Sequence, residues 1–559
     1  MLHDRPSPSM LSGSARAFGR LIQNADSSVS NDAGILAALC FHAAAEGHSC
    51  LDMAQLPDLF PRHARLAEQS LSSLFSSHPL VAVVNGADAD VRPALLVVFQ
   101  QRLYLKKYWD LECRLIRCLQ RRSNSGTVPE SDAAGLGLAT ACMHKPMVFL
   151  TGGPGTGKTT AIAEALPVWI QAFLQKHQRA PRVSMCAPTG KAALRMTAAL
   201  SRHLATRAGQ WPEPVVAAMP AVAQTIHRFL RKNSVTGHSP FSADNPLAVD
   251  LLVLDEASMI DLPMLVQTLE ALPEQAVVLL SGDPKQLPSV ELGNVLGTLL
   301  SDQAENPLFQ SLRLAHRQLT HNYRQAESPG LALLSSDMSG RQYPDILQKL
   351  QTNAYTGVTF QSAQDDGLAA VVQDNVVHYR NIALQASVED ALQRLEQRTV
   401  LCAVRQGHFG CIALNAGIQR RLSSARYQQG QALLITENAP ALGLANGDTG
   451  LVWPSMGALA LHLNRPEGIQ RVPLHALPKH ELGYALTVHK AQGSEYSHVD
   501  LILPAADSPL LNRALLYTAI TRARNTLTLI GTPEALTHGL ETNPIRMNGL
   551  AALAGFNEK

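Results

Sequence analysis

The feature that most limits what this chain can fold into is the run Gly152-Gly153-Pro154-Gly155-Thr156-Gly157-Lys158-Thr159-Thr160. It follows the short apolar segment Pro146 to Leu150 and leads into an apolar-rich stretch with helical character. A strand, a glycine-rich turn and a helix start, in that order, make a phosphate-binding loop. The glycines let backbone N–H groups turn inward around phosphate oxygens, Lys158 reaches the β and γ phosphates, and the Thr159 hydroxyl is placed to ligate a metal. The expected ligands are a nucleoside triphosphate, ATP, and Mg2+.

Such a loop belongs at one edge of a parallel sheet, so strands and helices should go on alternating beyond it. Met147 to Leu150, Arg182 to Ala187, Asp250 to Leu254 and Ala276 to Ser281 read as strands separated by helical segments. That pattern predicts an α/β domain whose ligands gather at the carboxyl ends of the strands. Val253-Leu254-Asp255-Glu256 delivers two carboxylates to that edge, Asp255 suited to the surroundings of Mg2+ and Glu256 to orienting or deprotonating an attacking water. In Gly282-Asp283-Pro284-Lys285-Gln286-Leu287-Pro288, the neutral Gln286 can touch a γ-phosphate and report its hydrolysis elsewhere. Pro167 falls inside the helix after the loop and is expected to kink or shorten it.

The rest of the 559 residues makes room for three or four domains. An apolar content of 46% with 16% charged residues excludes a disordered chain. The formal charge of +2 means that any nucleic acid must be held by local groups rather than by a basic surface field. The eight cysteines form no C-x-x-C pair and read as buried thiols of a reducing compartment. Residues 1–23 carry no continuous apolar core, so neither a signal peptide nor a membrane span is expected, and the chain is placed in the cytoplasm.

Helical periodicity recurs from Ala33 to Ala45, Met53 to Leu59, Arg65 to Phe75 and Leu103 to Leu119, which makes residues 1–120 a small, mostly helical domain without catalytic spacing. The polar stretch 121–131 reads as a linker, residues 132–340 as the first motor domain and 341–559 as the second. Short strands separated by turns near 430–480 predict a β-barrel inserted in the second motor domain, serving either nucleic-acid contact or packing. Thr487, His489, Lys490, Gln492 and Ser494 place uncharged donors around one lysine, which suits sugar and phosphate contacts along a single strand. Leu515 to Arg524 reads as a helix carrying Arg522 toward a γ-phosphate held by the first domain, as an arginine finger. Arg524 reads as a surface ion pair.

Together with Ala187-Pro188-Thr189-Gly190-Lys191-Ala192, Thr225-Ile226-His227 and Asn322-Tyr323-Arg324-Gln325, these motifs resemble, in order, the set of the superfamily 1 helicases. Within the 5′→3′ branch, the chain is most similar to the alpha-chain family of exodeoxyribonuclease V. Ala44 to Leu51 and Leu103 to Trp109 resemble that family's amino-terminal region. The resemblance implies two RecA-like parallel-sheet motor domains, with Tyr323 stacked on the base, Arg324 on the γ-phosphate, and Thr189, Lys191, Thr225 and His227 along DNA. It also implies a 5′→3′ DNA helicase acting on single-stranded DNA at duplex ends for recombinational repair. Its partners would be the beta and gamma subunits of a heterotrimer, the nuclease would reside in a partner chain, and the amino-terminal domain would dock through Leu103, Tyr104, Leu105, Tyr108 and Trp109. In one departure, residues 132–138 lack the glutamine that the family usually carries before the phosphate loop, so adenine selectivity lacks its usual reader. A free-standing helicase and an ATP-gated DNA clamp remain the alternatives.

Overall fold

The computed structural model describes residues 11–554 apart from 27–29, 87–93, 125–136, 234–235, 301–313, 324–327, 341–342, 364, 466–467 and 544–545. In the amino-terminal region, helices Gly13–Ala25, Asn31–Ala45 and Lys106–Asn124 predominate. A sheet not read from the sequence accompanies them: β1 (Leu51–Asp52), β2 (Val81–Val84), β3 (Leu96–Phe99) and β4 (Arg102–Leu105), in the order β1-β4-β3-β2. Leu103 to Leu105, expected to open a helix, belong instead to β4, because the chain reverses at Gln100 (φ 54°) and pairs β4 antiparallel with β3. Tyr104 and Trp109 are buried with their rings 5.1 Å apart, and Phe99 lies 5.2 Å from Trp109. The proposed aromatic docking anchors Tyr104 and Trp109 are therefore core residues, as is Leu103, and a buried ring cannot reach a partner.

The helix Lys106–Asn124 runs through the first four residues of the expected linker, 121–124; the others, 125–131, lie outside the described residues. Its last turn is anchored. The buried Arg122 guanidinium donates to the carbonyls of Leu269, Leu272, Pro273 and Ala276 at 3.0, 3.3, 3.1 and 2.9 Å. Leu269 lies in the last turn of helix Leu262–Glu270, and Leu272, Pro273 and Ala276 lie in the turn that follows it, so the guanidinium ties down the end of that helix. Arg114 grips Glu270 through two bonds of 2.8 and 2.5 Å. A continuous apolar core joins Leu36, Phe99 and Trp109 to Phe149, Leu252 and Leu265, so the amino-terminal domain and the first motor domain share one interior.

The first motor sheet contains β5 (Met147–Gly152), β6 (Val183–Ala187), β7 (Gln224–Thr225), β8 (Leu251–Leu254), β9 (Val277–Gly282) and β10 (Ala315–Leu319). Every neighbouring pair is parallel, in the order β10-β5-β9-β8-β6-β7, and the four strands expected from the sequence are β5, β6, β8 and β9. Strand β5 is buried along its whole length, which is why its sequence is continuously apolar rather than alternating. The helix Lys158–His177 runs on through Pro167, with Ile162, Leu166 and Ile170 packed into the core around it, so the expected shortening does not occur.

The second motor domain starts before the expected residue 341, since helices Pro329–Ser339 and Tyr343–Gln351 pack into its core through Leu331, Leu334, Ile346 and Leu350. Strands β11 (Val358–Ser362) and β12 (Arg398–Cys402) follow, with helices Asp365–Ala383 and Val388–Leu395 between them in a stretch whose sequence gave little pattern. The inserted strands follow: β13 (Ala432–Ile435), β14 (Thr449–Ser455), β15 (Ala458–Arg465), β16 (Gly468–Pro473) and β17 (His480–Leu482). Their order, β16-β15-β14-β13-β17, is an open antiparallel sheet instead of the expected barrel. The three-residue β17 pairs with β13, and among the described residues no pairing joins β16 to β17 to close the sheet. Strands β18 (Ala485–Thr487), β19 (Tyr496–Ile502) and β20 (Ala523–Gly531) complete a parallel sheet, β11-β20-β19-β12-β18. The expected helix through Arg524 ends earlier: the helix is Arg513–Ile520, and Arg522 sits in the turn before β20.

Candidate nucleotide site between the two motor domains

The phosphate loop leaves β5 and turns through Gly155 (φ 77°) and Gly157 (φ 81°), left-handed conformations that favour glycine. Between them Thr156 donates to the Gly153 carbonyl at 2.7 Å. The Lys158 amine lies inside the turn, donating to the carbonyls of Gly152 and Gly153 at 2.5 and 3.1 Å. Thr159 and the exposed Thr160 stand in the first turn of the helix. The Thr159 hydroxyl meets the buried Asp255 carboxylate at 3.4 Å. A hydroxyl and a carboxylate that close are a hard-oxygen pair of the kind Mg2+ takes when phosphates and water fill its remaining positions. The residues present therefore fit the metal.

Glu256, two residues after the end of β8, holds a left-handed conformation (φ 53°), and its own N–H donates to Asp255 at 3.0 Å. Burial, and next the Asp255 charge, raise the proton affinity of Glu256, while Arg522, Lys158 and Arg195 oppose the rise. A carboxylate made more basic in this way is a better acceptor for a proton from water.

The second motor domain closes the site. Arg522, 3% exposed, donates from Nη2 to Gln286 Oε1 at 3.1 Å, and its other nitrogens reach the carbonyls of Thr518 (3.1 Å) and Ser494 (3.3 Å). Gln286 Nε2 donates to Asp283 at 3.2 Å, and the Tyr517 hydroxyl donates to the same Asp283 oxygen at 3.1 Å. A Cβ on Gly153 would lie 3.1 Å from that tyrosine hydroxyl, so Tyr517 touches the phosphate loop itself. The Leu287 N–H donates to Thr518 Oγ1 at 2.7 Å, and Gln492 Nε2 to the Leu287 carbonyl at 3.4 Å. Asp283, Tyr517, Thr518 and Arg195 were not singled out in the sequence. Spacing held one usable signal, since Tyr517 and Thr518 stand about one helical turn before Arg522.

Tyr323 is 68% exposed, its N–H donates to Gly155 O at 3.1 Å, and its ring lies 3.4 Å from where a Cβ on Gly157 would stand. It thus projects beside the phosphate loop. Arg324 lies outside the described residues.

Thr189 caps the helix Gly190–Thr206 by accepting from Ala192 N at 3.2 Å, and Thr225 caps the short turn at His227 by accepting from Arg228 N at 3.3 Å. Lys191 is half-buried and His227 exposed, its imidazole held below the usual value by partial burial and Lys232. Opposite them, Thr487, His489 and Lys490 are half-buried, Lys490 paired with Glu481. A Cβ on Gly493 would sit 4.0 Å from Thr189 Oγ1, so the two blocks face each other across the motors. Gln492 and Ser494 depart from the sequence reading: they are 7% and 2% exposed and seated against Leu287 and Arg522, where a strand cannot reach them.

Two parallel sheets that close on one phosphate loop, with a buried arginine delivered from the second, define a motor of the P-loop NTPase class. Comparison with known proteins narrows the class. Residues 9–104 match the family described as RecBCD enzyme subunit RecD, N-terminal domain; residues 137–292 match an AAA domain and 482–530 a UvrD-like helicase C-terminal domain. The RecBCD enzyme subunit RecD of Mycolicibacterium smegmatis is 30% identical, over 96% of this chain and 98% of its own. The ATP-dependent RecD2 DNA helicase of Deinococcus radiodurans is 30% identical over 70% of this chain but only 47% of its own. Among solved structures, a Bacteroides Pif1 bound to ssDNA is 16% identical with a TM-score of 0.42, covering 78% of this chain and 94% of that one. The chain belongs to the RecD family of RecBCD enzyme subunits.

Proposed function

We propose that this chain is the ATP-driven 5′→3′ DNA helicase subunit of a helicase–nuclease heterotrimer with beta and gamma subunits, acting on single-stranded DNA at duplex ends in the cytoplasm for recombinational repair. The observation that carries the reading is Arg522 of the second motor domain bonded to Gln286 of the first, beside a loop that holds Lys158 and Thr159. Bound Mg2+, held at Thr159 and Asp255, would polarise the terminal phosphates. Lys158 and Arg522, with Arg324 by family resemblance, neutralise their charge, and Tyr323 offers its exposed ring to the base. Glu256 orients the attacking water and takes its proton. The chain of contacts Arg522–Gln286–Asp283–Tyr517 makes the state of the γ-phosphate felt at the contact between the two domains. Cleft motion then shifts Thr189, Lys191, Thr225 and His227 on one side of a bound strand against Thr487, His489 and Lys490 on the other. Gln492 and Ser494 serve the contact between the motors. The near-complete coverage of the Mycolicibacterium relative, against half of the Deinococcus helicase, favours a complex subunit over a free-standing enzyme. Eight free cysteines, seven of them buried, suit a reducing compartment.

The test is unwinding of tailed duplexes by the full chain, with Lys158→Gln as the control that abolishes ATP turnover. ATP-dependent opening of a 5′-tailed but not a 3′-tailed duplex is expected. Intact, strand-stimulated ATPase without any unwinding would favour the clamp, and dependence on a 3′ tail would overturn the direction.

A further inference from the structure

After helix Pro533–Glu541 the chain leaves the second motor domain and crosses to the amino-terminal domain. Thr542 is still fixed to that domain, since its carbonyl accepts from Arg513 N at 2.9 Å. By Arg546 the chain is bonded to the amino-terminal domain, with the Arg546 guanidinium on the Glu46 carbonyl at the end of helix Asn31–Ala45. Met547 is 1% exposed; its N–H donates to His48 Nδ1 at 2.9 Å, and its carbonyl accepts from Ser49 N and Oγ at 3.0 and 3.2 Å. The Gly549 N–H points at the fully buried Glu112 carboxylate, 3.3 and 3.1 Å from its two oxygens, which also accept from Ser49 Oγ and, at 3.3 Å, from Tyr104 OH. A side chain on Gly549 would overlap the Tyr104 hydroxyl. Asn548 donates to Thr298 of the first motor domain at 3.1 Å, and Leu550, Leu553 and Ala554 finish in the shared core.

We propose that Arg546–Ala554 is a strap that limits how far the second motor domain can swing away from the first. The amino-terminal domain and the first motor domain move as one body, given their common core, the Arg114–Glu270 pair and the buried Arg122. The second motor domain is joined to that body once through the chain that follows β10, and again through Thr542 to Arg546. Only three residues, 543–545, separate the two fixed points of this second crossing. Four extended steps of chain span roughly 14 Å, which caps separation of the two bodies along that edge. Two crossings confine the motion to a hinge, so the nucleotide-free cleft samples a narrow range of openings and little of the closing free energy goes into gathering it.

Inserting roughly ten Gly/Ser residues after Asn543 lengthens the strap while leaving every docking contact in place. The readout is the distance distribution between spin labels on cysteines placed at exposed Lys176 and Leu384, one on each motor domain, in the full chain without nucleotide. That distribution should broaden toward longer distances, and the KM for ATP should rise about threefold or more at unchanged kcat, because the binding-competent closed fraction falls. Gly549→Val, which unseats the strap from Tyr104, should broaden it in the same way, with hydrogen exchange at 546–554 reporting the release. An unchanged distribution in the insertion variant would overturn the strap, as would broadening confined to Gly549→Val, which would mark the segment as an adhesive contact only. The distance readout stands whatever chemistry the cleft performs.

Discussion

At Glu256 two demands meet on one carboxylate. In the proposed mechanism it is partly buried, which raises its proton affinity, and it faces the attacking water; the left-handed turn after β8 sets it beside Asp255. Glu256→Gln removes the acceptor but keeps the shape, so nucleotide binding should persist while hydrolysis falls by about a hundredfold or more. Equilibrium binding of a fluorescent nucleotide alongside single-turnover hydrolysis checks this, and loss of binding in a folded protein would move Glu256 to the metal. At this scale the sequence was most legible where function dictates residue type along a contiguous stretch. The loop from Gly152 to Thr160, Asp255 and Arg522 stood out from composition and order alone. Asp283 and Tyr517 did not, since an aspartate beside a proline and a tyrosine in a helix are ordinary until the fold brings them 3.1 Å apart.

Elements were legible where burial is complete and obscure where pairing is local. The continuously apolar strands β5, β8 and β9 could be read directly, because both faces are covered and no polar alternation interrupts them. The sheet β1 to β4 was missed because its strands are two to four residues long, and β4 runs straight into a helix. Of the inserted sheet, β13 to β16 could be read but the three-residue β17 could not, and the barrel was expected because closure depends on edge pairing that no local pattern encodes. The linker was misplaced at its start for a related reason. Arg122 looks like surface charge in sequence, yet it supplies donors to four carbonyls around the end of helix Leu262–Glu270. Arg122→Met should remove four hydrogen bonds to those carbonyls, of which Leu269 and Pro273 keep the backbone donors of Leu272 and Ala276, and cost about 3 kcal/mol of stability, measurable as a lower denaturant midpoint. A midpoint within error of wild type would show that the cap is not needed.

At the scale of the whole molecule, the amino-terminal domain is part of the motor's foundation as well as a candidate docking surface. A chain begun near residue 132 would lose half of a shared core and the seat of its own carboxyl terminus, so partner binding is better tested by surface substitutions than by truncation. The seat also makes stability depend on pH. Burial raises the Glu112 carboxyl from 4.5 to about 7 against the opposing pull of Ser49, the Gly549 N–H, Tyr104 and Arg102. Since the folded state binds this proton more tightly than the unfolded chain, the contribution is complete below about pH 4.5 and lost as pH rises through about 7. Thermal melts of wild type and Glu112→Gln across that window should therefore diverge, the wild type losing more stability on going from pH 5 to pH 8; parallel profiles would contradict a protonated Glu112.

In the proposed mechanism, hydrolysis depends on a residue delivered by the second motor domain to a nucleotide held by the first. The direct measurement is steady-state ATPase of Arg522→Ala with and without single-stranded DNA, beside its nucleotide affinity. Near-normal ATP binding is expected, with strand-stimulated turnover reduced by about a thousandfold, the range of a lost arginine finger. Stimulated turnover at the wild-type level in a folded Arg522→Ala protein would contradict it.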